Sequence, residues 1–349
     1  MLKQRLNENL RSALSICLLS VSLFGSLSDR ATAQTSNELT RFSDWCQQKA
    51  TLNPEARHTV NVLLKEAKTQ DCKKAETTLT GLTELFLTSD QIKDLQPLAT
   101  LTNLKKLDLT NNQITDVQPL SALTNLRSLS LAVNQITDVQ PLSTLTNLQS
   151  LDLIGNQVSN LTGLSNLKNL ETLGLDRNQV HDLKPLATLT TLKELSLSDN
   201  QIADLQPLST LRNLDALVLS SNRIISVQPL SALTNLKLLW LSKNQVSDAT
   251  PLSTLTNLTF LALDHNQIVE VQPLSTLTKL DMLFLHNNQI TNVAPLATLT
   301  KLGMLFLNGN RIEQVQPLAA LKHLQALILV DNSLRDRTCP VQPASVCAF

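Results

Sequence analysis

Ser242, Asp264 and His286 stand at 22-residue intervals. A hydroxyl, a carboxylate and an imidazole are the parts of a nucleophilic triad, in which the imidazole sits between the other two and takes the hydroxyl proton. Equal spacing on equivalent positions puts Asp264 in the middle instead, so acyl transfer is set aside. His265 lies beside Asp264 and one period before Asn287. A weak surface metal site can be drawn from Asp264, His265 and His286, but all are read as polar rim residues, with no catalytic group and no metal ligand assigned. The chain has only seven glycines, and neither GxGxxG nor GxxxxGK[ST] occurs. A dinucleotide or phosphate loop is therefore absent, and no cofactor is expected. Basic and acidic residues number 29 each. Phosphate binding needs an excess of Lys and Arg, so nucleic acid is not an expected partner.

The cysteines point to an oxidising compartment. Lys3, Arg5 and Arg11 precede an apolar run from Ser12 to Leu27, and Ala31-Thr32-Ala33 follows as a small-x-small cleavage site. Residues 1–33 thus read as a secretory signal peptide, too short in its apolar part for a comfortable membrane span. Its removal takes away Cys17 and leaves four cysteines, Cys46, Cys72, Cys339 and Cys347. Export makes disulfides the expected state. Among three connectivities, local pairing is favoured (Cys46 with Cys72, Cys339 with Cys347), because the pairs lie at opposite ends. The expected location is exported, either periplasmic or extracellular, with no membrane span in the mature chain.

The element that must position every side chain in between is a repeat. Asn112, Asn134, Asn156, Asn178, Asn200, Asn222, Asn244, Asn266, Asn288, Asn310 and Asn332 are each 22 residues apart. L-x-L precedes each Asn, Ile, Val or Leu follows two residues later, and Pro-Leu comes further on in most units. Twelve units run from Leu82 without insertion or deletion, the last incomplete. The alternating x-L-x-L-x predicts a short strand with leucine inward. Stacked units make a parallel sheet whose crossovers have room for one 3₁₀ or helical turn, opened by Pro. Neighbouring units bury the Leu and Ile columns jointly. The Asn column is read as structural, its buried amides satisfying backbone groups of the turns. The column Asp94, Asp116, Asp138 is read as turn chemistry rather than as calcium ligands.

The pattern L-x-x-L-x-L-x-x-N-x-I-x-D-x-x-P-L-x-x-L-T-N, matched position for position by Leu104 to Asn125, resembles the 22-residue leucine-rich repeat of bacterial internalins and of phosphatase-regulator-type repeats. The resemblance implies a curved α/β solenoid: a parallel sheet on the concave face, short 3₁₀ turns or loops on the convex face, and binding without catalysis. One unit departs, with Gly163 in place of Pro. No LPxTG-type wall anchor ends the sequence, so adhesion to host cells is not carried over.

A solenoid exposes its core at both ends and needs caps. Residues 34–81 are expected to form a helical N-terminal cap, residues 82–336 the repeats and residues 337–349 a C-terminal cap loop. Asn53-Pro54-Glu55 reads as a helix start. Val60, Leu63, Leu64 and Ala67 follow as one apolar stripe that should cover the first repeat. A Cys46–Cys72 bond would tie a preceding helix, carrying Phe42 and Trp45, to the end of this one.

Function is read from the outward strand positions, the third, fifth, seventh and eighth residues of each unit. Early units are polar there, with Lys106, Asp108, Ser130, Asp152, Asp176 and Glu194. From the seventh unit the fifth column reads Val218, Trp240, Ala262, Phe284, Phe306, Ile328, and the third reads Ala216, Leu238, Phe260, Met282, Met304, Ala326. Aromatics are 3 % of the chain and Tyr is absent, yet four of the eight beyond the leader fall in four consecutive units of this face. Adjacent strands hold same-column neighbours about 4.8 Å apart. Rings of ~150–250 Å² each should build a patch at or above the ~300–600 Å² typical of interaction sites. The candidate binding residues are Val218, Leu238, Trp240, Phe260, Met282, Phe284, Met304, Phe306 and Ile328. The expected partner is a protein or peptide; the alternative is a structural envelope protein that self-associates, as a homodimer, through the same patch.

Overall fold

Extended chain sends alternate side chains to opposite sides. In the computed structural model, which describes residues 39–349, each x-L-x-L-x stretch is a three-residue strand with a buried leucine at its centre. The strands run from β1 (Glu84–Phe86) and β2 (Lys106–Asp108) to β12 (Ala326–Ile328). The signal peptide read at residues 1–33 lies outside the described residues.

All strands are parallel and pair in chain order in one open sheet. The register is fixed at one repeat, so Leu239 faces Leu261 and Leu283 faces Leu305. The returning side of most units is a five-residue 3₁₀ turn such as Gln206–Thr210, with Pro in its first turn. Proline suits that place, since its φ is pre-set and a first-turn N–H has no partner within the turn. The Asp column opens these turns: Asp94, Asp116 and Asp138 accept from the backbone N–H two residues on, at 2.8 Å each. The unit with Gly163 has a shorter turn, Thr162–Leu164. A Cβ at Gly163 would lie 2.4 Å from the Val139 carbonyl oxygen, so proline is excluded there by close approach to the preceding unit.

The Asn column behaves as its residue type requires. The Asn222 side chain donates to the carbonyls of Leu197 and Leu219 at 2.9 and 3.1 Å and accepts from Ile202 N–H at 3.0 Å. Each such Asn binds its own turn to the unit before it. A second ladder runs along the outside, where Asn125 donates to Thr102 and Asn147 to Thr124, both at 2.9 Å. The T-N ending of the repeat contains these residues, but their span of 23 positions is visible only once the units stack.

Among the described residues the N-terminal cap has three α-helices rather than two: α1 (Phe42–Gln47), α2 (Pro54–Glu66) and α3 (Cys72–Thr80). Asn53 caps α2 as its sequence suggests, accepting from Ala56 N–H at 2.7 Å. Val60, Leu63, Leu64 and Ala67 are buried against the first repeats. Thr59 fastens α2 by donating to the Asp94 carbonyl at 2.7 Å. Cys72 does not end α2, as expected, but begins α3, with Asp71 as its N-cap. Its disulfide to Cys46 therefore joins α1 to α3. At the other end, Cys339 pairs with Cys347. Cys347–Ala348 adds a thirteenth strand, β13, parallel to β12, where only a loop was expected. This strand gives part of β12's open edge a partner, with Leu329 N–H bonded to the Ala348 carbonyl at 2.7 Å.

Candidate functional site

Strands β7 (Ala216–Val218), β8 (Leu238–Trp240), β9 (Phe260–Ala262), β10 (Met282–Phe284) and β11 (Met304–Phe306) present the apolar columns side by side. Their central leucines are fully buried behind the sheet. The outward residues are thus free of the core, and they pack on one another. Ring centroids lie 4.5 Å apart for Trp240 and Phe260, 5.4 Å for Phe260 and Phe284, and 4.5 Å for Phe284 and Phe306, the last pair nearly parallel at 7°. Offset-stacked and tilted pairs at such distances are the favourable arrangements of aromatic rings.

The run changes column once. Ala262 sits opposite Trp240 and Phe284 in the ladder, so the fifth column has a gap on β9. Phe260, from the third column, bridges the two large neighbours. Both Phe260 and Ala262 are buried, at 9 % and 3 % exposure. The sequence-based picture of rings standing free therefore overstates the exposed area. Trp240, Phe284, Phe306, Leu238, Met282, Val218 and Ile328 are half-buried, and Met304, at 36 %, is exposed. The structure brings Leu238 to Phe306 together as one continuous surface, with Val218 and Ile328 at its two margins. Stacking makes a low apolar ridge whose side chains have little rotamer freedom left to lose.

A polar cluster borders the ridge. Ser242 donates to Asp264 Oδ1 at 2.6 Å. On the other carboxylate oxygen, His265 Nδ1 lies at 3.0 Å and His286 Nε2 at 3.4 Å. Asp264 is thus the hub, as equal spacing implied, and Ser242 has a carboxylate rather than an imidazole as its acceptor. Asp264 is itself buried. The His286 ring meets Phe284 and Phe306 edge-on, at 6.4 and 6.5 Å. Burial pushes its imidazole below the usual histidine range, against the pull of Asp264. The Nδ1 atom of His286 is buried without a hydrogen-bond partner among the described residues.

The polar half of the face carries a feature that residue types alone did not reveal. Asp176 Oδ1 accepts from Ser196 Oγ and Ser198 N–H, both at 2.6 Å. Burial nevertheless raises its carboxyl above the ordinary range. Asp152 is raised in the same way, with neighbouring Asp176 and Asp108 adding to the effect. At the N-terminal margin the Lys106 ammonium lies 5.1 Å from the exposed Phe86 ring. No described helix is long and apolar enough to cross a membrane.

The family profile described as "Leucine Rich repeats (2 copies)" matches residues 80–122, 124–166, 168–210, 190–232, 212–254 and 256–298. The chain belongs to the leucine-rich repeat family. Its units are of the internalin type: an internalin (inlF) from Listeria monocytogenes str. 4b F2365 is 29 % identical, over 86 % of this chain and 97 % of that one, with a TM-score of 0.72. Internalin C2 (inlC2) of the same strain is 33 % identical over 61 % of this chain and 95 % of that one, with a TM-score of 0.57. A plant peptide hormone receptor, RGFR1, solved in complex with RGF2, is 25 % identical over 74 % of this chain and 45 % of that one, with a TM-score of 0.65. No curated protein matches the sequence.

Proposed function

We propose that the chain is an exported recognition module, without catalysis of its own, that binds a protein or peptide through the aromatic end of its concave face, in units seven to twelve. The observation that carries this reading is the continuous stack from Trp240 to Phe306. The repeat core is complete without these rings, because the leucine columns fill it. Trp, Phe and Met are the residue types enriched at interface centres. A stacked, pre-ordered ridge loses little entropy when a partner covers it. Repeat solenoids commonly use such extended concave surfaces for binding, and RGFR1 is a peptide receptor of similar fold. The polar units from Lys106 to Glu194 would supply orientation and charge complementarity. The disulfides in both caps support a destination in an oxidising compartment, periplasmic or extracellular.

The test is a pull-down from the native envelope with wild type against the Trp240→Ala, Phe284→Ala double variant, paired with ultracentrifugation. Recognition predicts a partner captured by wild type and lost in the variant, with a monomer at all concentrations. A concentration-dependent dimer that the double substitution dissolves would assign the ridge to self-association instead.

A further inference from the structure

We propose that Asp264, His265 and His286 form a binding site for a divalent transition-metal ion, and that Zn²⁺ is the ion its ligand set favours. The three contribute one carboxylate oxygen and two imidazole nitrogens, all within 4.8 Å of one another. Zinc bonds of about 2.0–2.2 Å place tetrahedral ligand atoms about 3.3–3.5 Å apart. Asp264 Oδ2 lies 3.0 Å from His265 Nδ1 and 3.4 Å from His286 Nε2, so two edges of the tetrahedron are close to formed. The longer contact is poor as a charge-assisted hydrogen bond, which would be about 2.7–2.9 Å, and it has the length of an ion-bridged pair.

Hydrogen-bonding neighbours hold two of the three ligands, Asp264 and His265, in place, as partners of metal ligands do, while Nδ1 of His286 has none among the described residues. Ser242 fixes Asp264 through the oxygen that faces away from the histidines. The Asn287 side-chain amide nitrogen lies 2.8 Å from His265 Nε2, so without an ion the proton sits on Nδ1, toward Asp264. With an ion on Nδ1, the imidazole proton resides on Nε2, and the Asn287 amide turns its oxygen toward it. His286 packs edge-on beside the stacked pair Phe284 and Phe306, which restricts its ring. Two imidazoles and a carboxylate leave a fourth position on the solvent side of the sheet, beside the ridge. The set is borderline in softness, which suits Zn²⁺ over Mg²⁺ or Ca²⁺. The site needs no partner protein, so it stands or falls separately from the recognition reading.

Equilibrium dialysis of the full mature chain, free of added histidines, against Zn²⁺ and then Co²⁺ tests it. The expected result is one ion per chain, with the visible spectrum of four-coordinate Co²⁺. His286→Ala, and separately His265→Gln at an exposed position, should each weaken binding by at least the roughly ten- to hundredfold that losing an outer partner of a ligand costs. Substituting the distant, exposed His181 and His323 should change nothing. Far-ultraviolet circular dichroism and the metal-free melting temperature confirm that each variant is folded. No stoichiometric ion, or binding unaltered in both folded ligand variants, would overturn the proposal.

Discussion

At the scale of residues, the repeated polar positions carry definite and different loads. Asn222 satisfies two buried carbonyls and one buried N–H. Asn222→Ala orphans the Ile202 N–H, at about 1–3 kcal/mol, and leaves the Leu197 and Leu219 carbonyls with one donor each, from Asn200 and Asn244. Urea denaturation should show a loss of at least about 1 kcal/mol, against little change for the exposed Gln245→Ala. Asp176 works in the opposite direction. Its folded-state carboxyl is raised by burial, so its ionisation opposes folding: the stabilising contribution is full below the unfolded value near 4 and is lost as pH rises through the folded value. Asp176→Asn keeps an oxygen for Ser196 and Ser198. It should raise the melting temperature at pH 7, with the gain shrinking toward pH 4. A gain that does not depend on pH would remove burial of charge as the cause. The Asn column was legible because a buried amide at a fixed period has few other uses. The eighth column was not. Its backbone is left-handed in every unit, with φ of 56° at Val133 and 53° at His265. Only some of its residues, such as Gly155 and Asn287, are types that advertise that conformation.

At the scale of elements, the strands and 3₁₀ turns could be read from the alternation and the Pro-Leu steps, because both are local consequences of spacing. The caps were only half legible. The capped start of α2 lies in three consecutive residues, whereas α3 has a short polar stretch, Lys73-Lys74, before its apolar positions and gives no strong periodicity. The role of the disulfide follows from that third helix. Cys46→Ser with Cys72→Ser releases α1 from α3, and loss of such a bond typically costs about 2–5 kcal/mol. Each unit contacts chiefly its neighbours, so the damage should stay local. Hydrogen exchange should rise first in α1, α3 and β1, leaving β8 to β11 protected. Uniform loss of protection along the whole sheet would contradict nearest-neighbour stability.

At the scale of the whole molecule, a register of 22 residues converts a one-dimensional pattern into two surfaces, one committed to the core and one free to vary. This is why the apolar columns were visible before the structure, and why their packing was not. Whether Phe260 stands upright or leans across Ala262 depends on three strands at once. That the rings cover one another reduces the exposed area, but it also orders the ridge. Removing Trp240 and Phe284 breaks all three ring pairs of the stack, at about 0.5–1.5 kcal/mol each beyond burial, but leaves the leucine core intact. The decisive measurement is calorimetric titration of the partner captured from the native envelope into wild type and into the Trp240→Ala, Phe284→Ala variant, with a variant of the polar units, Glu194→Gln, alongside. The ridge as binding surface predicts an affinity lowered by at least about a hundredfold in the double variant, in the range of interface hot spots, and near wild type in Glu194→Gln. Equal affinity for wild type and the double variant would contradict it.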